Sequence, residues 1–480
     1  MTSDEQSRFK EERERVMYYR LCNQYKLRGW ELLPFAICDT SSGQTAFFKR
    51  EDFRLVLQCD GWTDINRDSL SEEQKRLFEL MLNQNIIEAC SRGEGLEEEQ
   101  NYKRYPSRFI KTVQWSITGR CNFRCRHCFM SAPEAKYGEL PLEDCLKIVD
   151  EMADCGIMSV SLTGGEPLVR KDFFQIVDAL LEKGIRIDSI YSNGKLVNDR
   201  LLDEFEARGQ KPVIHMSFDG TGWHDWLRGI PGAEKYVVDA YRLCQQWGFD
   251  TTAEMCIHKN NKDTIRDTVR LLTSLGVRSL KINPAVPMGE WLKESAQYTL
   301  TAEETYQTYL DYIPCYFEDH MPISIALEGF FTCDKGNPNY NIPNIKYEEG
   351  CDCSAKSICG HARNSLYISP EGIALPCMPL AASCVKEQFP NILEDGLVKI
   401  LSDSFYMRMV DVRLKEYLEH NPECMECPHK NACGGGCRGF AIGQDEDDYL
   451  TADLQVCAFF KGGYPEKIRK IADEAKAKWL

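Results

Sequence analysis

Cys121-Asn122-Phe123-Arg124-Cys125-Arg126-His127-Cys128 spaces three cysteines as CxxxCxxC. Three thiolates at that spacing hold three corners of a [4Fe–4S] cube and leave the fourth iron open, whereas ferredoxin-type sites supply four cysteines and close the cluster. An open iron can bind and reduce a small molecule, by the logic that separates open catalytic metal sites from closed structural ones.

Around this triad the chain alternates short β-branched runs with amphipathic helical stretches. The expected strands are 113–118, 157–162, 185–191, 213–218, 251–257 and 279–282. Six strand–helix alternations predict an α/β domain with a parallel sheet and right-handed crossovers. A doubly wound open sheet and a partial barrel fit the pattern equally. In either, ligands gather at the carboxyl ends of the strands, and the motifs fall there. The triad follows the first strand, and Thr163-Gly164-Gly165-Glu166-Pro167 follows the second. Ser192-Asn193-Gly194 ends the third, and Ser217-Phe218-Asp219-Gly220 the fourth.

The triad and the following T-G-G-E-P segment resemble the signature of the radical S-adenosylmethionine (SAM) superfamily. The resemblance favours a partial (β/α)6 TIM barrel. It implies that the open iron takes the amino and carboxylate groups of SAM, and that one electron splits SAM to a 5′-deoxyadenosyl radical that abstracts substrate hydrogen. It also implies that Gly164, Gly165 and Glu166 bind the SAM amino group; glycines allow close backbone approach, and a carboxylate suits an ammonium. Ser192, Asn193 and Ser217 match positions that bind the SAM ribose and carboxylate, although Ser and Asn are common strand-end residues. Arg228 suits the SAM carboxylate, with a surface ion pair as the alternative. His127 is expected to pack against the adenine.

The last third carries Cys353, Cys359, Cys377, Cys424, Cys427, Cys433, Cys437 and Cys457, with Gly372 and Cys377 in a G-x4-C spacing. By spacing alone, C-x2-C followed by C-x3-C also fits tetrahedral zinc. The order resembles the SPASM extension of radical SAM peptide-modifying enzymes, which implies two auxiliary [4Fe–4S] clusters. Cys353, Cys359, Cys377 and Cys437 would hold the first; Cys424, Cys427, Cys433 and Cys457 would hold the second. Cys351 competes with Cys353, with Cys333 also in reach, and a first set lacking Cys353 would leave an iron open to a substrate thiolate. Met378 follows Cys377 where anaerobic sulfatase maturases place an aspartate base, which weighs against that activity. Cys22, Cys38, Cys59, Cys90, Cys145, Cys155, Cys244 and Cys256 are expected to be inert small hydrophobes.

Before the barrel, residues 29–37 and 44–49 read as strands joined by Ser41-Ser42-Gly43. Residues 53–61 read as a short helix, 71–82 as a helix capped by Ser71, and 86–89 as a return strand. The segment 91–104 reads as a solvated linker. This order resembles the RiPP recognition element, a winged-helix-like α+β module that binds the leader of a ribosomally made peptide by strand addition. A winged-helix DNA binder is the formal rival.

The expected division is residues 1–105 for that module and linker, 106–320 for the barrel, and 321–480 for a bridging region and the cysteine-rich domain. At 480 residues and 43% hydrophobic, the chain can bury several cores. A net charge of −16 excludes a general nucleic-acid binder. No apolar run is long enough to span a bilayer, and the charged opening stretch has no secretory core; a cytoplasmic location follows. Twenty-three cysteines in such a chain point to metal, not disulfides. The resemblances imply an enzyme that modifies a precursor peptide, with a Cys sulfur-to-carbon thioether as the expected product and a flavodoxin- or ferredoxin-type protein as electron donor. Carbon–carbon cross-linking and epimerisation are the alternatives within the class; a zinc-stabilised binding protein and a plain electron carrier are those outside it.

Overall fold

The computed structural model describes residues 18–294, 296–348, 350–443, 445 and 447–480. The charged opening stretch lies outside them. The described chain forms two compact units, one comprising residues up to Phe109 with Asp154–Met158, the other Ile110–Ala153 and Ser159–Leu480.

In the first unit, β1 (Tyr18–Leu21) pairs antiparallel with β5 (Ile87–Cys90). A four-stranded sheet runs in the order β4 (Thr45–Phe47), β3 (Ala36–Asp39), β2 (Tyr25–Gly29), β6 (Lys103–Arg104). Tyr19, Leu21, Leu27, Ile37, Phe53 and Phe78 meet in its core. The helix Glu72–Asn83 starts at a capping box, with Ser71 Oγ accepting from Gln74 N and Gln74 Oε1 accepting from Ser71 N. Two readings change. The expected strand 29–37 breaks after Gly29, because Trp30 N bonds to Leu33 O and Tyr102 Oη donates to Pro34 O. The expected linker 91–104 is strapped down: Gln100 is 3% exposed and its amide donates to the carbonyls of Leu21, Cys22 and Tyr25.

The second unit is built on one eleven-stranded sheet. The six expected strands are present as β7 (Thr112–Ser116), β8 (Ser159–Thr163), β9 (Arg186–Ser192), β10 (Val213–Ser217), β11 (Thr251–Ile257) and β12 (Ser279–Pro284), all parallel in sequence order. Each crossover buries a helix face: Ile148, Val149 and Met152 on Leu142–Asp154, and Ile176, Val177 and Leu180 on Phe173–Glu182. Residues beyond 320 continue the same sheet. β13 (Ser324–Leu327) extends it past β12 in parallel, followed by the antiparallel β14 (Phe331–Cys333) and β15 (Tyr340–Asn341). β16 (Ser365–Ile368) returns to pair in parallel with β7, and β17 (Ala374–Leu375) turns back on β16.

A single cavity of about 450 Å3 is lined by Gln114 of β7, His215 of β10, Glu254 of β11, Lys281 of β12 and Tyr367 of β16. Strands so far apart in the sheet order share one cavity only when the sheet curls around it. The fold is a partial barrel, with its outermost strands β15 and β17 paired on one side alone.

Close to the barrel mouth His258 is fully buried beside Trp226 and Trp291, with ring centroids 5.0 and 5.8 Å away. Burial lowers its pKa from 6.5 to about 4, with Asp219 opposing. The fold holds it neutral, so its contribution to stability is full above pH 6.5 and is lost as pH falls from 6.5 toward 4, where the unfolded chain takes up a proton that the folded chain refuses. Urea unfolding at pH 5 should show about 2 kcal/mol of stability lost through this group relative to pH 8. A His258→Phe variant should lack that increment; an identical pH slope would remove His258 as its source.

Candidate active site

The loop carrying the cysteine triad is pinned on two sides. On one, Gly165 N donates to Thr118 O at 2.9 Å and Glu166 N to Arg120 O at 2.8 Å. A Cβ on Gly165 would lie 2.3 Å from the Arg120 carbonyl oxygen, so only glycine permits this approach. On the other side, the helical turn His224–Arg228 receives the loop: Arg126 N donates to Leu227 O at 2.8 Å and Arg124 N to Arg228 O at 3.3 Å.

The pinned loop turns Cys121, Cys125 and Cys128 into a cavity of about 280 Å3 at the carboxyl ends of β8 to β12, lined also by Gly164, Gly165, Ser192, Asn193 and Ser217. His127 and Arg228 are in its wall too. Backbone N–H groups of Phe123 and Ala132 point at the sulfurs of Cys121 and Cys128, each at 3.4 Å. Burial pushes the Cys121 thiol up to about 12 and Cys125 to about 11, with neighbouring sulfurs adding to it and Arg228 opposing it at Cys125. Such thiols ionise on taking up a metal. Among the described residues, no three His, Cys, Asp or Glu side chains converge as a single metal ion requires. The cysteines surround a space, which fits a cluster better than one zinc.

Several expected binding residues have protein partners. Glu166 is fully buried, and its carboxylate accepts from Asn193 N at 2.7 Å, Ser192 Oγ at 3.1 Å and Leu168 N at 3.2 Å. Burial raises its pKa to about 7, against these donors. Glu166 thus fixes the β9 loop beside the cavity. Asn193 also donates from Nδ2 to Asn122 Oδ1 at 2.7 Å, tying that loop to the triad. Arg228 is 8% exposed, which corrects the surface-ion-pair alternative: Nε and Nη2 donate to Asp219 at 2.6 and 3.1 Å. Its Nη1 lies 3.9 Å from Cys125 Sγ. Burial works to raise the Asp219 carboxyl, but Arg228 and His224 outweigh it and hold it far below the usual range. Packing lowers His127 to about 3, which suits a neutral ring against a ligand.

The C-terminal cysteines form two groups. Cys424, Cys427, Cys433 and Cys457 line one small cavity with Tyr417 and Asp453, so the donor set fits a four-cysteine cluster. In the other group, the Cys377 thiol is driven far up by burial and then by Cys437 and Cys359; Cys359 also acts on Cys437. Cys353 lies apart from these three in its surroundings. It is buried in an apolar cluster with Ile358, Val412, Leu414 and Tyr417, and its sulfur donates to the Cys351 carbonyl at 3.4 Å.

Cys377 and Met378 stand in the wall of the barrel cavity. That cavity meets the triad cavity, since Tyr191, His215, Glu254, Asn283 and Met378 line both. Sequence reading missed His215, Glu254, Lys281 and Asn283. Their signal was polar side chains at alternate positions of strands otherwise buried on both faces. Cys256, expected to be inert, also lines the triad cavity.

Residues 115–272 match the radical SAM superfamily, and residues 359–428 match the iron–sulfur cluster-binding SPASM domain. The fold and the site define an iron–sulfur enzyme that uses SAM. More narrowly, the chain carries a radical SAM region and a SPASM region, with one [4Fe–4S] cluster in the first and additional iron–sulfur centres in the second.

Among its relatives, an AdoMet-dependent heme synthase of Oleidesulfovibrio alaskensis is 25% identical over 75% of this chain and 90% of its own. The antilisterial bacteriocin subtilosin biosynthesis protein AlbA of Bacillus subtilis is 26% identical over 67% of this chain and 66% of its own. The crystal structure of Streptococcus suis SuiB bound to precursor peptide SuiA superposes with a TM-score of 0.61 at 16% identity, over 92% of this chain and 99% of that one. No described helix is long and apolar enough to cross a membrane.

Proposed function

We propose that this protein modifies a ribosomally synthesised precursor peptide, joining a cysteine sulfur to a carbon from which hydrogen has been abstracted. The observation that carries the reading is the joined chamber. The wall bearing Cys377 opens into the barrel cavity, and that cavity meets the one lined by the triad. A peptide there reaches both ends. The cofactors supply reductive cleavage of SAM and an acceptor for the electron released as the sulfur–carbon bond closes. The chain's own residues hold the geometry: Glu166 and Asn193 fix the β9 loop, and the Asp219–Arg228 pair sits against Cys125. Cys359, Cys377 and Cys437 would hold the first auxiliary centre, and with Cys353 kept in the apolar cluster that centre could take a substrate thiolate, which favours a thioether over a carbon–carbon link, epimerisation or sulfatase-type oxidation.

In this reading the first unit receives the peptide leader as a recognition element. β4 is paired on one side only, by β3, and Phe47 at its end is 41% exposed; an unpaired edge accepts an added strand. The electron donor is a flavodoxin or ferredoxin.

The test is an anaerobic reaction of the reconstituted protein with SAM, reductant and peptides encoded beside its gene. A peptide that loses two hydrogens and one free thiol, with 5′-deoxyadenosine formed in step, supports the thioether. Loss of two hydrogens with every thiol still alkylatable moves the link to carbon. The heme synthase likeness favours a second reading on a porphyrin; conversion of a heme precursor in the same reaction, with peptides untouched, would replace the first.

A further inference from the structure

Cys433 and Cys437 belong to different cysteine groups, yet only Gly434-Gly435-Gly436 separates them. All three glycines have positive φ, at 55°, 86° and 69°. Such a run turns its carbonyls away from regular backbone pairing, and every one of these carbonyls is taken by a cation. Lys346 Nζ donates to Gly434 O at 3.2 Å and to Gly436 O at 2.5 Å. Arg438, 2% exposed, donates from Nη2 to Gly435 O. Lys346 Nζ also donates to Ile358 O at 2.7 Å, the residue before Cys359. One ammonium thus ties the residue after Cys433, the residue before Cys437 and the residue before Cys359. The lysine is itself anchored, with its N–H bonded to Ala432 O at 2.8 Å. A Cβ on Gly434 would come within 2.9 Å of the lysine Cδ, so the strap and the lysine stem are closely packed.

We infer that Lys346 is a positioning residue shared by the two auxiliary centres, holding the triglycine strap between them and setting their reduction potentials with its charge. The inference rests on the reading of both cysteine groups as cluster ligands. Each thiolate-bound cluster carries negative charge that grows on reduction, and net charge nearby is a main determinant of cluster potential. An ammonium bonded to the carbonyls of Ile358, Gly434 and Gly436, next in the chain to Cys359, Cys433 and Cys437, favours the reduced state of both centres; burial lowers its pKa and the nearby sulfurs raise it again. No solvent or substrate contact is needed for this role, which separates it from a catalytic one.

The test uses the full chain with Cys121, Cys125 and Cys128 replaced by alanine, so that only the auxiliary centres are read. Lys346→Met keeps the stem and removes the charge; Lys346→Arg keeps the charge. After anaerobic reconstitution, iron and sulfide are counted and each centre is titrated by electron paramagnetic resonance. The expected result is a Lys346→Met protein whose auxiliary potentials fall by at least a tenfold change in the reduction equilibrium, about 59 mV for one electron, with Lys346→Arg close to the parent. Iron lost from Lys346→Met but kept by Lys346→Arg, with unchanged helix content, also supports the clasp. Full iron and unchanged potentials in Lys346→Met overturn it. A parent that takes up no auxiliary iron overturns the cluster reading and this inference together, and is recognised before any variant is compared.

Discussion

Replacing Cys121, Cys125 and Cys128 together by alanine should reduce 5′-deoxyadenosine formation to background and remove about four of about twelve irons. The three sulfurs share one cavity, and the loop bearing them is fixed by backbone bonds that the substitutions leave in place. The barrel should therefore keep its circular dichroism spectrum while losing the activity. The auxiliary groups lie on a separate stretch of chain, and their iron should be retained. Continued SAM cleavage by the triple variant would place the reductive centre elsewhere.

The second large effect is expected at Asp219. Its carboxylate is fully buried, accepts two bonds from Arg228 and a third from Cys256 N at 3.0 Å. Removing one partner of a buried pair strands the other charge, at a cost of about 3–5 kcal/mol. Asp219→Ala should lower the thermal midpoint by several degrees and weaken iron retention at the triad, since Arg228 is then no longer held beside Cys125. Asp219→Ala/Arg228→Met removes both charges, and a buried pair replaced by apolar groups is often neutral in stability. The double variant should therefore recover the midpoint. A midpoint as low as that of the single variant would show that the loss comes from packing and the Cys256 bond, not from the stranded charge.

The barrel was legible because strand–helix alternation and strand-end motifs are local signals, and all six expected strands appear within a few residues of their places. What sequence could not show was the partner of a side chain. Glu166 carries the residue type that an ammonium wants, but its neighbours in space come from the β9 loop. Arg228 lies nine residues from Asp219, and nothing between them marks the pair as buried. The spacing of Cys351, Cys353 and Cys359 is compatible with several ligand choices; the apolar cluster around Cys353 is assembled from Ile358 close by and from Val412, Leu414 and Tyr417 some sixty residues along the chain. In the first unit, the run after Gly29 has the composition of a strand, yet Leu32 is 64% exposed while Trp30 is buried. The break there is imposed by Tyr102, some seventy residues on.

The strand β16 has a consequence for how this protein is built in the cell. It lies between Cys359 and Cys377 in sequence, and its ladder partner is β7, the strand that leads into the triad loop. Ser116 and Tyr367 reinforce that ladder through a 2.7 Å bond between their hydroxyls. Translation of β7 is complete some 250 residues before β16 emerges, so the nascent barrel waits with an open flank. The flank closes only when the segment between Cys359 and Cys377 arrives. Closure of the barrel thus awaits the stretch of chain that bears the C-terminal cysteines, so a chain cut short before residue 365 would leave β7 without its outer partner.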